Sequence, residues 1–196
     1  MNLDLDIMDL KNPRSLARKP FGGSLDLSES TLHSVEIPVR FKTRSFIPNN
    51  GLDLGGIVRR IKKDLEKIGA NDSFLRSTVY GVTEAVKNAY EHGNERDNSK
   101  EIFFAQSFGE NIEFLVGDSG NKLRGCFVPY VLLFRQKRQE IAHKVIPDFY
   151  SFCGEIYAPE GHSGIGTRTM NMCFEKVHYF KRKESGLLVY LCKPFK

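Results

Sequence analysis

At 196 residues, with 27% charged and 40% hydrophobic residues, the chain has the size and balance of one ordinary globular domain. Its 29 basic and 24 acidic residues leave a net charge of +5, spread along the chain rather than gathered on one face, which argues against nucleic acid as the primary partner. No apolar run approaches the ~20 residues that span a bilayer, and the acidic opening Met1 to Pro13 lacks the layout of a signal peptide, so a cytoplasmic protein with no membrane partner is expected.

Residues 1–30 hold Pro13, Pro20, Gly22, Gly23 and several serines without sustained periodicity, and are expected to form a flexible arm. From Leu32 to Phe46, Val35, Ile37, Val39 and Phe41 alternate with polar residues and predict a strand. Pro38 removes a ladder donor and assigns that strand to a sheet edge, where a homodimer contact near Val35 to Phe41 is plausible.

Residues 53–69 predict an amphipathic helix, with Leu54, Ile57, Val58, Ile61, Leu65 and Ile68 in helical period and Gly69 closing it. A second helix is expected from an Asp72 or Ser73 cap to about His92, with Leu75, Val79, Val82, Val86 and Ala89 as its core stripe. Glu84, Asn88 and His92 recur at four-residue steps and share a flank with Ser77, Gly81 and Ala85. The small residues of that flank leave room for a ligand. The wheel turns Lys87 and Glu91 away from it, to the face most remote from the core. A carboxylate can accept a proton, and a neutral Asn can ligate a hard cation.

Two strands are predicted near Glu101 to Ser107 and Ile112 to Gly117, joined by a turn at Phe108 to Asn111. The second ends in Asp118-Ser119-Gly120. There a carboxylate past a strand end can accept from an exocyclic amine, and Gly120 lets the backbone approach a ligand. The interval 121–160 is irregular. Val131, Phe134, Ile141 and Val145 within it keep roughly helical spacing, as an insert packed on its own domain or as a partner-binding helix. Gly164 and Gly166 stand just before a last helix ending near Glu175, whose free amides would face an anion such as phosphate. Strands near Val177 to Arg182 and Leu187 to Cys192 close the chain. Helices grouped with antiparallel strands imply an α/β (α+β) two-layer sandwich.

Cys126, Cys153, Cys173 and Cys192 form no CxxC pair, so four reduced thiols are expected. A zinc site from Cys126, His143, Cys153 and His162 matches no usual ligand spacing.

The order of motifs, Glu84-Ala-Val-Lys-Asn88-Ala-Tyr-Glu-His92-Gly93, then Asp118-Ser-Gly120, then Gly164-Ile-Gly166-Thr-Arg-Thr-Met170, resembles the histidine-kinase-like (GHKL) ATPase superfamily. Within it the chain looks most like the anti-sigma factor serine/threonine kinases, over about residues 32–196. The resemblance implies the Bergerat fold, a mixed, mainly antiparallel sheet covered on one face by helices, with a lid or insert at about 121–160. It implies ATP and Mg as cofactors. Glu84 would be the base, Asn88 the Mg ligand, Asp118 the adenine contact, and Gly164 and Gly166 the glycines of the phosphate lid. His92, Gly120, Ile165 and Thr167 complete the expected nucleotide contacts. The implied partners are a sigma factor and a small anti-sigma-factor antagonist. The pattern departs from the sensor kinases at Lys122, where a second Gly would follow Asp118-Ser-Gly120. Two alternatives are a nucleotide-binding partner-switch module without phosphotransfer and the catalytic half of a sensor histidine kinase. The second would normally need an upstream dimerising helical pair.

Overall fold

The computed structural model describes residues 24–26, 35–120, 122–124, 126–127, 130–131, 148–153, 164–182 and 186–195. Most of the 121–160 insert, including Phe134, Ile141, Val145 and His143, lies outside them, as does His162. Five strands form one sheet: β2 (Lys42–Phe46), β3 (Ile102–Phe108), β4 (Asn111–Gly117), β6 (Lys176–Lys181) and β7 (Leu187–Pro194), in the order β2-β3-β4-β7-β6. Every strand pairing among the described residues is antiparallel, so the described sheet is not the mixed one expected. A separate pair joins β1 (Ser24–Asp26) to β5 (Lys122–Arg124). Helices with described bounds are α1 (Leu54–Lys67), α2 (Asp72–Asn88), α3 (Phe149–Phe152) and α4 (Gly166–Cys173). No helix among the described residues is long and apolar enough to cross a membrane.

Local chemistry accounts for the helix bounds. Asp53 accepts from Gly56 N at 2.8 Å and starts α1. Gly69, at φ +80°, takes the left-handed conformation just past its end. Asn71, rather than Asp72 or Ser73, caps α2 by accepting from Phe74 N at 2.9 Å. The α2 helix ends in a π-turn at Ala89–Gly93, where Asn94 N donates to Ala89 O at 2.8 Å. The extra residue in that turn shifts the side chains around it from the positions an α-helical wheel would give them.

The two sheet faces separate by strand alternation. Ile102, Phe104, Phe114, Val116, Tyr179 and Val189 meet the buried stripe of α2 (Leu75, Val79, Val82, Val86 and Ala89) together with Ile61 and Leu65 of α1. Phe103, Ala105, Leu115, Phe180, Leu188 and Tyr190 form the opposite face, where Phe41 is buried and Val35 and Ile37 pack. The expected edge strand at Val35 to Phe41 is therefore displaced. Val35–Pro38 form no strand, Val39 is fully exposed in a turn, and the edge strand starts at Lys42. The alternation is satisfied by packing across the sheet, not by pairing along it. Arg40 anchors this segment with two hydrogen bonds to Glu113, at 2.8 and 3.1 Å, and the Tyr190 hydroxyl donates to the same carboxylate at 2.7 Å. Residues Ser24–Asp26, expected within a flexible arm, pair with β5 instead.

Cys126 and Cys153 are joined as a disulfide, their Cα atoms 5.9 Å apart, so four reduced thiols are not what the fold holds. Residue spacing alone cannot register that the exit of β5 and α3 meet in space. This also removes both cysteines from the drawn zinc set, and no cluster of three metal-ligating side chains occurs among the described residues.

Gly81 marks the seam between α2 and α4. A Cβ there would lie 2.7 Å from Phe174 Cε2 and 2.8 Å from Cys173 Cβ. Gly81→Ala is therefore expected to destabilise the protein by about 1–3 kcal/mol through overpacking, despite the helix propensity gained. Urea unfolding monitored by circular dichroism checks this; an equal or raised midpoint would contradict the packing account.

Candidate functional site

One row of cross-strand neighbours, Val116, Val189 and Tyr179, floors a cavity of about 500 Å3 between the sheet, α2 and α4. Leu187, Met170, Ala89 and Phe127 add further apolar wall. Polar groups stand at the two ends: Asp118 at the strand end, and Glu84 with Asn88 along α2.

Asp118 is 5% exposed. Its Oδ1 accepts from Gly120 N at 3.0 Å and from Leu187 N at 3.1 Å. Arg182 donates to the Asp118 backbone carbonyl at 3.1 Å and pairs with Glu101 at 3.1 Å. Burial pushes the Asp118 carboxyl up to about 6, opposed by the two backbone donors and by Arg182. Three glycines make room for it. A Cβ on Gly93 would overlap the Asp118 side chain, and one on Gly186 (φ +93°) would strike its carbonyl. A Cβ on Gly120 would strike the Gly93 carbonyl. Gly120 thus admits the end of α2, not a ligand, and it is absent from the cavity lining.

Asn94, which the sequence reasoning missed, is fully buried behind this turn. Its Oδ1 accepts from Ser119 N at 2.8 Å, and its Nδ2 donates to Glu101 O at 3.0 Å. A Gly-Asn pair closing a helix was the available signal. Glu95 and Arg96 come next at φ +56° and +59°, on the cavity rim.

At the other end, a Cβ on Gly166 would lie 3.0 Å from Glu84 Oε2 and 3.2 Å from Asn88 Oδ1. The structure therefore brings Glu84, Asn88 and the first residue of α4 together. The Ile165 cap position offers no side-chain hydrogen bond to the helix amides. Gly164, at φ +67°, packs on α3, where its carbonyl accepts from Phe149 N at 2.9 Å. Gly164, Gly166 and Thr167 line the cavity, whereas Ile165 is exposed and does not.

Three expected placements change. Lys87 belongs to the cavity, its Nζ 3.4 Å from Glu84 Oε1, because a long side chain three residues on reaches back along the helix. Glu91 lines the cavity too, turned by the π-turn, and His92 stands exposed on the same wall. The flank of Ser77, Gly81 and Ala85 is not a ligand slot. Ser77 accepts from Lys193 Nζ at 2.9 Å, Gly81 meets α4, and Ala85 is fully buried.

Neither a protein-family model nor a curated protein sequence matches the chain.

The arrangement offers one buried acceptor, Asp118, beside the apolar lining of the cavity. Across the cavity are a carboxylate and a carboxamide beside helix amides, with a cation adjacent. Such a site suits a planar amino-bearing group linked to an anion.

Asp118 also leaves a stability signature. Its folded value near 6 exceeds the ordinary 3.8, so the folded state holds the extra proton between them. The favourable contribution is full below about pH 3.8 and is lost as pH rises through about 6. Asp118→Asn keeps an acceptor for both amides and should stabilise the protein at pH 7 by up to about 3 kcal/mol, with the gain shrinking as pH falls below 6. Thermal melts from about pH 5 to about pH 8 read this out. A difference that does not vary with pH would contradict the assignment.

Asn94→Ala removes the acceptor for Ser119 N and should cost about 1–3 kcal/mol. Asn94→Asp keeps that acceptor but sets a buried carboxylate against the Glu101 carbonyl, so its melting midpoint should rise as pH falls, whereas that of Asn94→Ala should show no such dependence. Melting midpoints measured across pH check this.

Proposed function

We propose that the chain binds Mg-ATP in this cavity and transfers the γ-phosphoryl group to a serine or threonine hydroxyl of a protein partner. One observation carries the reading: the buried Asp118 carboxylate lines the same largely apolar cavity as Glu84 and Asn88, which stand against the start of α4. Asp118 Oδ2, which accepts no hydrogen bond among the described residues, would accept a hydrogen bond from the adenine amino group, with Val116, Val189 and Met170 against the base. The amides opening α4 and the Lys87 ammonium would hold the phosphates.

Asn88 would hold Mg through Oδ1, a fit supported by its position beside Glu84 and Gly166. When bound, the metal neutralises charge on the phosphate oxygens. Glu84 would accept the proton of the attacking hydroxyl as the new O–P bond forms and the bond to the leaving ADP breaks. Phosphoryl transfer asks mostly for positioning and charge neutralisation, and these groups supply both.

The partner class rests on the motif resemblance to anti-sigma factor kinases. In this reading the chain holds a sigma factor, phosphorylates its antagonist, and exchanges partners according to nucleotide state. A homodimer contact would use the outer edge of β2, which pairs with no other strand among the described residues. A second reading has a specific observation behind it. The Lys87 ammonium lies 3.4 Å from Glu84, which engages the proposed base and would suit a module that binds nucleotide without transfer.

Incubation with γ-labelled Mg-ATP and a candidate antagonist should label the antagonist. Glu84→Gln should lower the rate about 100-fold or more with nucleotide still bound, and Asn88→Ala should lose Mg-dependent nucleotide binding. Binding without labelling by the unmodified chain would select the second reading, and absence of Mg-ATP binding would refute both.

A further inference from the structure

The aromatic side of the cavity is built from two short segments that a covalent bond ties together. Phe127 is next to Cys126, and Phe149 and Tyr150 lie on α3, which ends one residue before Cys153. The Phe127 ring meets Tyr179 on the cavity floor at 5.1 Å and Phe149 at 6.2 Å. Tyr130, fully buried, packs on Phe149 at 5.2 Å and on Phe152 at 5.1 Å. From the other side the Arg124 guanidinium stands 5.6 Å from the Phe149 ring and 5.8 Å from Tyr150.

This wall positions the start of α4. The carbonyl of Gly164 accepts from Phe149 N, and a Cβ on Gly164 would lie 2.8 Å from Tyr150 Cδ2. Yet α3 spans only four residues, with Asp148 as its cap, and a helix that short does not hold itself. Its placement depends on the aromatic contacts and on the bond to Cys126. The remaining thiols, Cys173 and Cys192, are pushed up by burial and stay in the less reactive thiol form.

We propose that Cys126 and Cys153 form a thiol–disulfide switch that sets the aromatic wall of the cavity, so that the oxidised protein binds nucleotide tightly and the reduced protein weakly. The proposal rests on the nucleotide reading above. Cys126 is buried and Cys153 partly exposed, so an incoming thiolate attacks the Cys153 sulfur and Cys126 leaves as thiolate. A second thiol of the reductant then resolves the mixed disulfide. The protein gains two thiols, and the reductant departs as its own disulfide. The forward step is the reverse exchange with a small-molecule disulfide such as oxidised glutathione, which is released as two thiols. Once untethered, α3 holds the binding-ready arrangement for a smaller fraction of the time, and affinity falls by that fraction.

The test uses the full chain, oxidised with oxidised glutathione or reduced with dithiothreitol. Peptide mapping of the oxidised form should return the Cys126–Cys153 pair, and a different pair or none would overturn the proposal. Titration calorimetry with Mg-ATP should show about tenfold or greater loss of affinity on reduction. The Cys126→Ser/Cys153→Ser double variant should match the reduced form under both conditions. Equal affinity of the two redox forms would overturn the switch. Hydrogen exchange keeps the inference distinct from the nucleotide reading: amides of 149–153 should exchange faster in the reduced protein. If neither form binds Mg-ATP, the nucleotide reading fails, and exchange alone decides. Faster exchange on reduction then supports a redox-set wall, and unchanged exchange overturns it.

Discussion

The burial of one carboxylate organises this molecule. Asp118 sits where the end of α2, the end of β4 and the start of β7 converge, and three chain segments can meet there because Gly93, Gly120 and Gly186 carry no side chains. Two backbone donors offset part of the desolvation, and Arg182 compensates from behind while pairing with Glu101. Both donors found among the described residues address Oδ1. The molecule thus accepts a stability cost at the point where it places a polar group against the apolar lining of the cavity.

The second constraint is the seam between α2 and α4. Gly81 lets the C-terminal end of α4 approach closely, and Gly166 lets the other end come against Glu84 and Asn88. One helix therefore presents a core stripe to the sheet, a small-residue flank to a neighbouring helix and a polar stripe to the cavity. The flank serves the stripe indirectly, by fixing the distance at which the amides of α4 stand.

Much of this was legible from residue order. The helix closed by Gly69, the hairpin through Gly109, and the glycine pair before α4 all arise from local chemistry that the fold keeps. The meeting of Glu84, Asn88, Asp118 and Gly166 around one cavity is non-local, and it was expected from the order of the motifs rather than from any one window. The features that escaped were non-local or broke a period. The π-turn at Ala89–Gly93 shifted the helical phase, so a uniform wheel sent Glu91 to the wrong side. Alternation at Val35 to Phe41 came from a chain lying across the sheet, which carries the same apolar pattern as a strand within it. Asn94 and the Cys126–Cys153 bond depend on partners 25 and 27 residues away, and no window of local sequence contains them.

The β1–β5 pairing bears on where the working unit begins. Ser24 stands opposite Arg124, and Arg124 both lines the cavity and stacks near the rings of α3. A boundary drawn by motif content would start near residue 31 and keep every residue of the site. It would also discard the strand that holds β5 in register. A fragment trimmed there carries an intact list of residues around a wall that has lost the pairing of β1 with β5.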